Sequence, residues 1–466
     1  MAMRALILPV ALAAGFGALR VDRALQVAAA LTAHDACAAA FIQGVDPDET
    51  VRELVRPMTH MAGPGLRYRV DANEKAAEGW LVGGFFEARA AWTEGYGCRL
   101  VWDPSHRSPE PVTPRGASAP DDFAPPGLVE TSDPGLRAAL DQVFAEHSEG
   151  PPKYVKAVVV VKDGRVVAER YATGFSVATP LLSYSVAKSF TNAILAVLVK
   201  QGRLRVDQPV GAPEWSAPAD PRAAITVGDL LSMESGLDAE ETGSGFDPAS
   251  QMLFLEDDMA GFAASHPAKE PPRKRYEYTS ADTLILDRLL GETVGGGAEG
   301  MRTFADRELF APLHMDGVTL EFDGAGVFVG SAHVYAPARS YARFGVLYVN
   351  DGMAPDGRRI LPEGWVDYSR RSTLGSGYGA GFYTNDGPSK GAARRVAAGF
   401  PRDGFFASGN RGQRIYVVPS ERLVVARFGY SGADDFGIRD DLALIKAAIE
   451  TPREGASHER TPSPPP

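Results

Sequence analysis

The chain has 466 residues, 44% hydrophobic and 23% charged, with eight histidines, two cysteines and a formal net charge of −11. This is the composition of a folded protein with one large domain plus an extension, or with two domains. The acidic balance argues against nucleic acid or an anionic membrane surface as the main partner. No His-x-x-x-His, His-Glu-x-x-His or Cys-x-x-Cys spacing supports zinc, so neither a metal nor a cofactor is expected.

Met1-Ala2-Met3-Arg4 and the uncharged, mostly apolar run Ala5 to Leu19, closed by Arg20, read as a targeting segment over residues 1–20. The run is as long as a signal-peptide core and shorter than the ~20 residues of a comfortable membrane span. No clean small-x-small cleavage site directly follows, so an uncleaved inner-membrane anchor stands beside a cleaved signal. A buried first helix is the remaining option. Export to the periplasm or beyond fits the cysteines: Cys37 and Cys98 are expected to pair in an oxidising compartment.

Residues 21–102 read as a compact extension, with short strands expected at Leu66–Val70 and Arg99–Trp102. Residues 103–127 hold seven prolines and read as a linker that wraps the next domain. The main domain is expected over 128–450, and the polar tail 451–466, ending in three prolines, is expected to be disordered. Within the main domain a helix is expected near Leu136–His147. Valine-rich runs at 157–161 and 166–168 then flank Asp163-Gly164, a strong hairpin signal. A second hairpin, Arg414–Val418 with Leu423–Phe428, and a last helix at about Asp440–Glu450 close the domain. The stretch between, from Ser185 to about Arg371, is mainly helical. The expected fold class is therefore α+β: an antiparallel sheet built from both ends of the domain and flanked by helices, with an inserted helical subdomain and an N-terminal extension. The cleft between the two portions is the expected active site.

Three motifs fall at that cleft. Ser185-Val186-Ala187-Lys188 opens an apolar helix and sets Lys188 beside the Ser185 hydroxyl, since residues three apart share a helical face. A lysine desolvated there loses proton affinity, and its neutral amine can accept the serine proton. The second motif is Tyr278-Thr279-Ser280, and the third is Ala407-Ser408-Gly409, followed by Asn410 and leading into the second hairpin.

With these motifs the chain resembles the serine β-lactamase and penicillin-recognising superfamily, in its class C-like hydrolase branch with the 6-aminohexanoate-dimer-hydrolase-like and esterase-like members. That branch carries Ser-x-x-Lys, then Tyr-x-Asn or Tyr-x-Ser, then Lys/His-Thr-Gly on an edge strand. Asp229–Leu237 and Gly330-Ser331 with Tyr335–Arg339 are similar to further segments of it. The resemblance covers roughly residues 130 to 450. It implies Ser185 as nucleophile of an acyl-enzyme, with Lys188 as its base or as the cation that tunes Tyr278 into one. It implies an oxyanion hole from the backbone N–H groups of Ser185 and Asn410, and substrate contacts from Ser280, Ser408 and Gly409, the glycine admitting substrate close to the strand. Ala407 stands where the family places Lys or His for a substrate carboxylate. A small-molecule neutral ester or amide is therefore expected as substrate. The alternatives are a slow or inactive penicillin-recognising sensor, or a true β-lactamase or D-alanyl peptidase. No Gly-x-Ser-x-Gly elbow supports an α/β-hydrolase. Gly377–Gly381 reads as a substrate-side loop, with Phe382 and Tyr383 lining the cleft. Oligomeric state is not legible.

Overall fold

The computed structural model describes residues 20–106, 108–146, 150–432 and 438–452. The expected targeting segment up to residue 19 and the expected tail from residue 453 lie outside them. In the extension, helix α1 (Val21–Ala38) lies on an antiparallel sheet of β1 (Leu66–Asp71), β2 (Ala76–Leu81), β3 (Phe85–Thr93) and β4 (Gly97–Leu100), in that order. Every residue from Val27 to Ala38 is buried. Small side chains allow this: a Cβ on Gly79 of β2 would stand 2.4 Å from the Ala29 carbonyl oxygen of α1. Cys37 and Cys98 form a disulfide, Cα atoms 6.2 Å apart, joining the end of α1 to β4. Among the described residues, Val21–Gln43 is the one helix long and apolar enough to cross a membrane, yet 72% of its apolar window is buried inside the protein. It is a core helix here. Strand β2 escaped the sequence reading because Ala76, Ala77 and Gly79, poor strand formers, replace the usual β-branched residues, and in β3 Ala88, Ala90 and Ala91 interrupt the aromatic ends.

The proline-rich stretch runs along the main domain. The Ser118 N–H and hydroxyl donate to Asp316, at 2.9 and 2.8 Å, and Phe123 is buried in the main core. After α2 (Pro134–Phe144) come β5 (Val155–Lys162) and β6 (Arg165–Tyr171). Asp163 and Gly164 both take positive φ, +51° and +81°, as the two-residue hairpin turn requires. Short β7 (Pro180–Leu182) leads to α3 (Ala187–Lys200). The helical portion includes α4 (Pro248–Leu255) and α5 (Ser280–Val294). Short β8 (Thr319–Leu320) and β9 (Val334–Pro337) then pair with β7 in the order β7-β9-β8. Helix α6 (Ala338–Val349), two-residue β10 (Tyr383–Thr384), β11 (Phe405–Gly409), β12 (Gln413–Val418), β13 (Leu423–Gly429) and α7 (Ile438–Glu450) complete the domain.

The main sheet is antiparallel throughout, in the order β10-β11-β12-β13-β5-β6. Both ends of the domain build it, and the first and last strands of the two hairpins pair directly, Val160 with Val425. The unbroken valine run of β5 follows from burial on both faces. Ala157, Val159 and Val161 pack towards α3 and α6, while Val158 and Val160 pack towards α2 and α7. Two-residue β10 pairs only with Phe405 and Phe406 of β11, so the Ala407-Ser408-Gly409 end of β11 runs on beyond it along the sheet edge, as its motif leads one to expect.

Candidate active site

The nucleophile candidate sits in one turn of 3-10 helix, Tyr184–Val186, between β7 and α3. Tyr184 is held at φ +42°, a region a bulky residue rarely occupies unless its surroundings impose it. Ser183 supplies part of that imposition. Its hydroxyl lies 2.9 Å from the Tyr184 carbonyl and 3.1 Å from that of Ala332, and accepts from the Val334 N–H at 3.0 Å. The whole of α3 up to Leu198 is buried, which carries Lys188 into the protein one turn below Ser185.

Lys188 is enclosed, and its Nζ reaches three oxygens: Ser185 Oγ at 3.1 Å, Ser280 Oγ at 3.0 Å and the Ser331 carbonyl at 2.9 Å. Burial lowers the lysine pKa below its ordinary value, against the opposing pull of Glu241 and Asp287. Nζ also sits 4.8 Å above the Tyr278 ring. Tyr278 hydrogen-bonds Ser185, but its hydroxyl is pushed well above the ordinary tyrosine range by burial, with Tyr383, Glu241 and Tyr378 adding to the shift. Burial thus works against a Tyr278 phenolate and favours the neutral phenol, a proton donor, while it lowers the pKa of Lys188.

The Tyr-x-Ser segment divides its labour. Thr279, not Ser280, caps α5, its side chain accepting from the Ala281 N–H at 3.2 Å, which leaves the Ser280 hydroxyl for Lys188. The Ser280 N–H donates to Glu241. Behind Tyr278 stands an aromatic stack, with Tyr378 edge-on at 5.9 Å and Tyr383 parallel at 6.2 Å. This corrects the reading of 377–383. Tyr378 and Phe382 are buried and Tyr383 backs Tyr278, so the loop supports the site from behind instead of lining it.

β11 ends beside the nucleophile's turn. A Cβ on Gly409 would stand 2.3 Å from the Ser183 carbonyl oxygen and 3.1 Å from Tyr184 Cβ. The turn that holds Ser185 therefore requires glycine at this position. Ser408 is half-buried, Asn410 is exposed, and Ala407 is buried in the main core, paired with Ile415. The structure thus brings Ser185, Lys188, Tyr278 and Ser280 into mutual contact and sets Gly409-Asn410 against their turn.

A model of the family described as "Beta-lactamase" matches residues 140–447. The chain belongs to that family. With it comes a serine hydrolase of the acyl-enzyme type on the β-lactamase/transpeptidase-like fold. The 6-aminohexanoate-dimer hydrolase of Paenarthrobacter ureafaciens is 26% identical over 299 residues, spanning 58% of this chain and 71% of the relative. Penicillin-binding protein 4 of Amycolatopsis lactamdurans is 27% identical over 300 residues, 54% of this chain and 73% of its own. Among solved structures, a family VIII carboxylesterase superposes with a TM-score of 0.52 at 15% identity, covering 69% of this chain and 99% of that one. A penicillin-binding protein homologue from Caulobacter crescentus does so with 0.51 at 20%, covering 69% and 99%. Both likenesses show the fold.

The β-lactamase match begins beyond the extension, yet the extension forms part of the site. A cavity of about 540 Å³ opens at Ser185 and Ser280, and one wall is α1, through Val21, Ala24, Leu25, Ala28 and Leu31. Met58 of the extension lies 3.5 Å from the Tyr184 hydroxyl and 3.9 Å from Asn410 Nδ2. Lys156 of β5 ties this segment down with a 2.7 Å ion pair to Glu53. Deeper, Glu321 accepts from the Cys98 N–H at 2.7 Å and faces His34 at 2.8 Å and His333 at 3.2 Å. His34, Glu321 and His333 form one of two groupings with metal-ligand atoms in reach of one another among the described residues; Asp103, His106 and Asp257 are the other. Both ring nitrogens of His34 are taken by Asp35 and Glu321. Burial opposes its charge, but Glu321 and Asp35 outweigh that and raise its pKa to about 10. The cluster thus works as an ionic clamp between extension and main domain. Sequence reasoning missed it because its members stand nearly three hundred residues apart. It missed Glu241 and the Ser331 carbonyl because neither belongs to a three-residue signature.

Proposed function

We propose that the protein hydrolyses a neutral ester or amide through an acyl-enzyme on Ser185. The observation that carries this reading is the buried Lys188 Nζ with its three oxygens at 2.9–3.1 Å. A neutral amine has two N–H groups and one lone pair. The N–H groups satisfy Ser280 Oγ and the Ser331 carbonyl, and the lone pair is left for the Ser185 O–H. Lys188 takes that proton as Ser185 Oγ bonds to the substrate carbonyl carbon. The backbone N–H groups of Ser185 and Asn410 receive the oxyanion. Tyr278 gives its phenolic proton to the departing oxygen or nitrogen and regains one from Lys188. Water then attacks the ester, with the same pair moving protons in reverse.

The preference for neutral substrates rests on the cavity lining. Among the described lining residues there is no Arg or Lys, and the one carboxylate is Glu241. A carboxylate-bearing β-lactam or D-alanyl peptide meets no counter-charge there and meets repulsion from Glu241. Export is part of the proposal: the apolar run Ala5–Leu19 and the Cys37–Cys98 disulfide both fit an oxidising compartment outside the cytoplasm. Labelling with a fluorescent alkyl phosphonate tests the chemistry. The intact protein should become labelled at Ser185 and Ser185→Ala should not; equal labelling of the two would remove Ser185 from its role.

A further inference from the structure

The α1 cavity contains more apolar wall than a short ester needs. Val21, Leu25 and Leu31 line it together with Phe246, Leu253 and Phe254, and at about 540 Å³ it lies in the range that encloses a drug-sized molecule. Ser185 lines it; Tyr278, the proton donor to the leaving group in the mechanism above, does not. The leaving group is therefore directed towards Tyr278, and the part of the substrate that enters the cavity is the part left on Ser185. We infer that the substrate carries a long apolar acyl chain, lodged between α1 and the 243–254 segment.

This rests on the hydrolase reading of Ser185 and adds the substrate class. Two features support an apolar chain over a polar acyl group of equal size. The α1 side offers only aliphatic side chains, and Met58, Ala62, Phe246, Leu253 and Phe254 continue the apolar lining, whereas Ser185, Ser280, Glu241 and Asn410 stand at the catalytic end and Thr59, Ser244, Ser250 and His333 are single polar groups elsewhere on the wall. Phe246, 48% exposed, adds a large apolar side chain at the cavity.

The test is a chain-length series of p-nitrophenyl esters from acetate to dodecanoate with the full chain. Each methylene buried is worth about fourfold in kcat/KM, the equivalent of ~0.8 kcal/mol. Octanoate should therefore exceed butanoate by on the order of 10²-fold. Ala24→Trp, on the half-exposed side of α1, should lower the ratio of octanoate to acetate kcat/KM. Leu253→Trp, on the 243–254 segment, is the second filling variant, and retained acetate turnover shows that either is folded. A flat or falling series in the unmodified protein overturns the inference. So does a gain with octyl acetate that octanoate does not share, because the chain then sits on the alcohol side. Both results leave the hydrolase reading intact. That reading fails separately, if the phosphonate does not label Ser185.

Discussion

Removing the disulfide tests how the extension serves the site. Cys37 and Cys98 close a loop of 61 residues, and the chain-entropy relation for such a loop gives about 4 kcal/mol at 25 °C. The perturbation is Cys37→Ala with Cys98→Ala, alanine being chosen because both positions are buried and a serine hydroxyl would lack a partner there. The remaining contacts, the α1–sheet core, the Lys156–Glu53 pair and the Glu321 clamp, still hold the extension in place. The loss should therefore appear as easier local opening, not as global unfolding. Native-state hydrogen exchange should show amides of α1 and β4 exchanging up to about 10³-fold faster, with those of β5 and β13 unchanged. In the same variant, turnover of long-chain esters should fall more than that of acetate, since α1 is a cavity wall. Unchanged protection of α1 and β4 would refute the view that this link restrains the wall, and uniform loss across the molecule would refute its being local.

Other outcomes follow from the same geometry. Lys188→Arg should lose at least ~10²-fold in acylation, because guanidinium keeps its proton; an active variant would reduce Lys188 to a fixed charge. In the unmodified protein kcat/KM should rise with pH on a limb whose midpoint lies below the ordinary lysine value, as burial of Lys188 requires, and a midpoint at or above that value would contradict the neutral-amine base. Gly409→Ala, whose new methyl would collide with the Ser183 carbonyl, should cost about 1–3 kcal/mol of stability and lower kcat more than it raises KM; wild-type kinetics would show that the turn tolerates displacement. His34 holds its proton up to about pH 10 when folded and to near its ordinary value of 6.5 when unfolded. The stability it confers is thus complete below pH 6.5 and drains away between there and pH 10. Melting temperatures of wild type and His34→Gln should converge over that interval, and parallel curves would argue against a charged clamp.

Much of the chemistry was legible because it is local or ordered along the chain. Ser185 and Lys188 share a helical face whatever surrounds them, and the Asp163-Gly164 turn fixes its hairpin without help from elsewhere. The valine run of β5 announced a strand; that both its faces are covered needed the positions of α2 and α7. What escaped depends on distant packing. Nothing in the alanine-rich sequence of α1 separates a helix that merely fills a core from one that also walls a substrate cavity. Gly409 read only as room for substrate because its neighbour across space, the Ser183 carbonyl, lies two hundred residues back. The pairing of Glu321 with His34 leaves no trace in spacing at all.

The order in which the main sheet is synthesised has its own consequence. β5 leaves the ribosome with only β6 to pair it, and its other neighbour, β13, follows 265 residues later, counted from Val160 to Val425. At ordinary elongation rates that is a wait of roughly 13–50 s, during which a segment of five valines presents an unpaired edge and faces whose later covers, α6 on one side and α7 on the other, are still missing. Such a segment is prone to pair with other chains, and Lys156 and Lys162 near its ends are the residues that oppose it. A nascent chain stalled or truncated before residue 423 would carry this strand permanently uncapped. Aggregation of C-terminal truncations should therefore be far worse than their small loss of mass suggests, and charged substitutions at Val158 or Val160 should relieve it in the truncated chain while disabling the complete one.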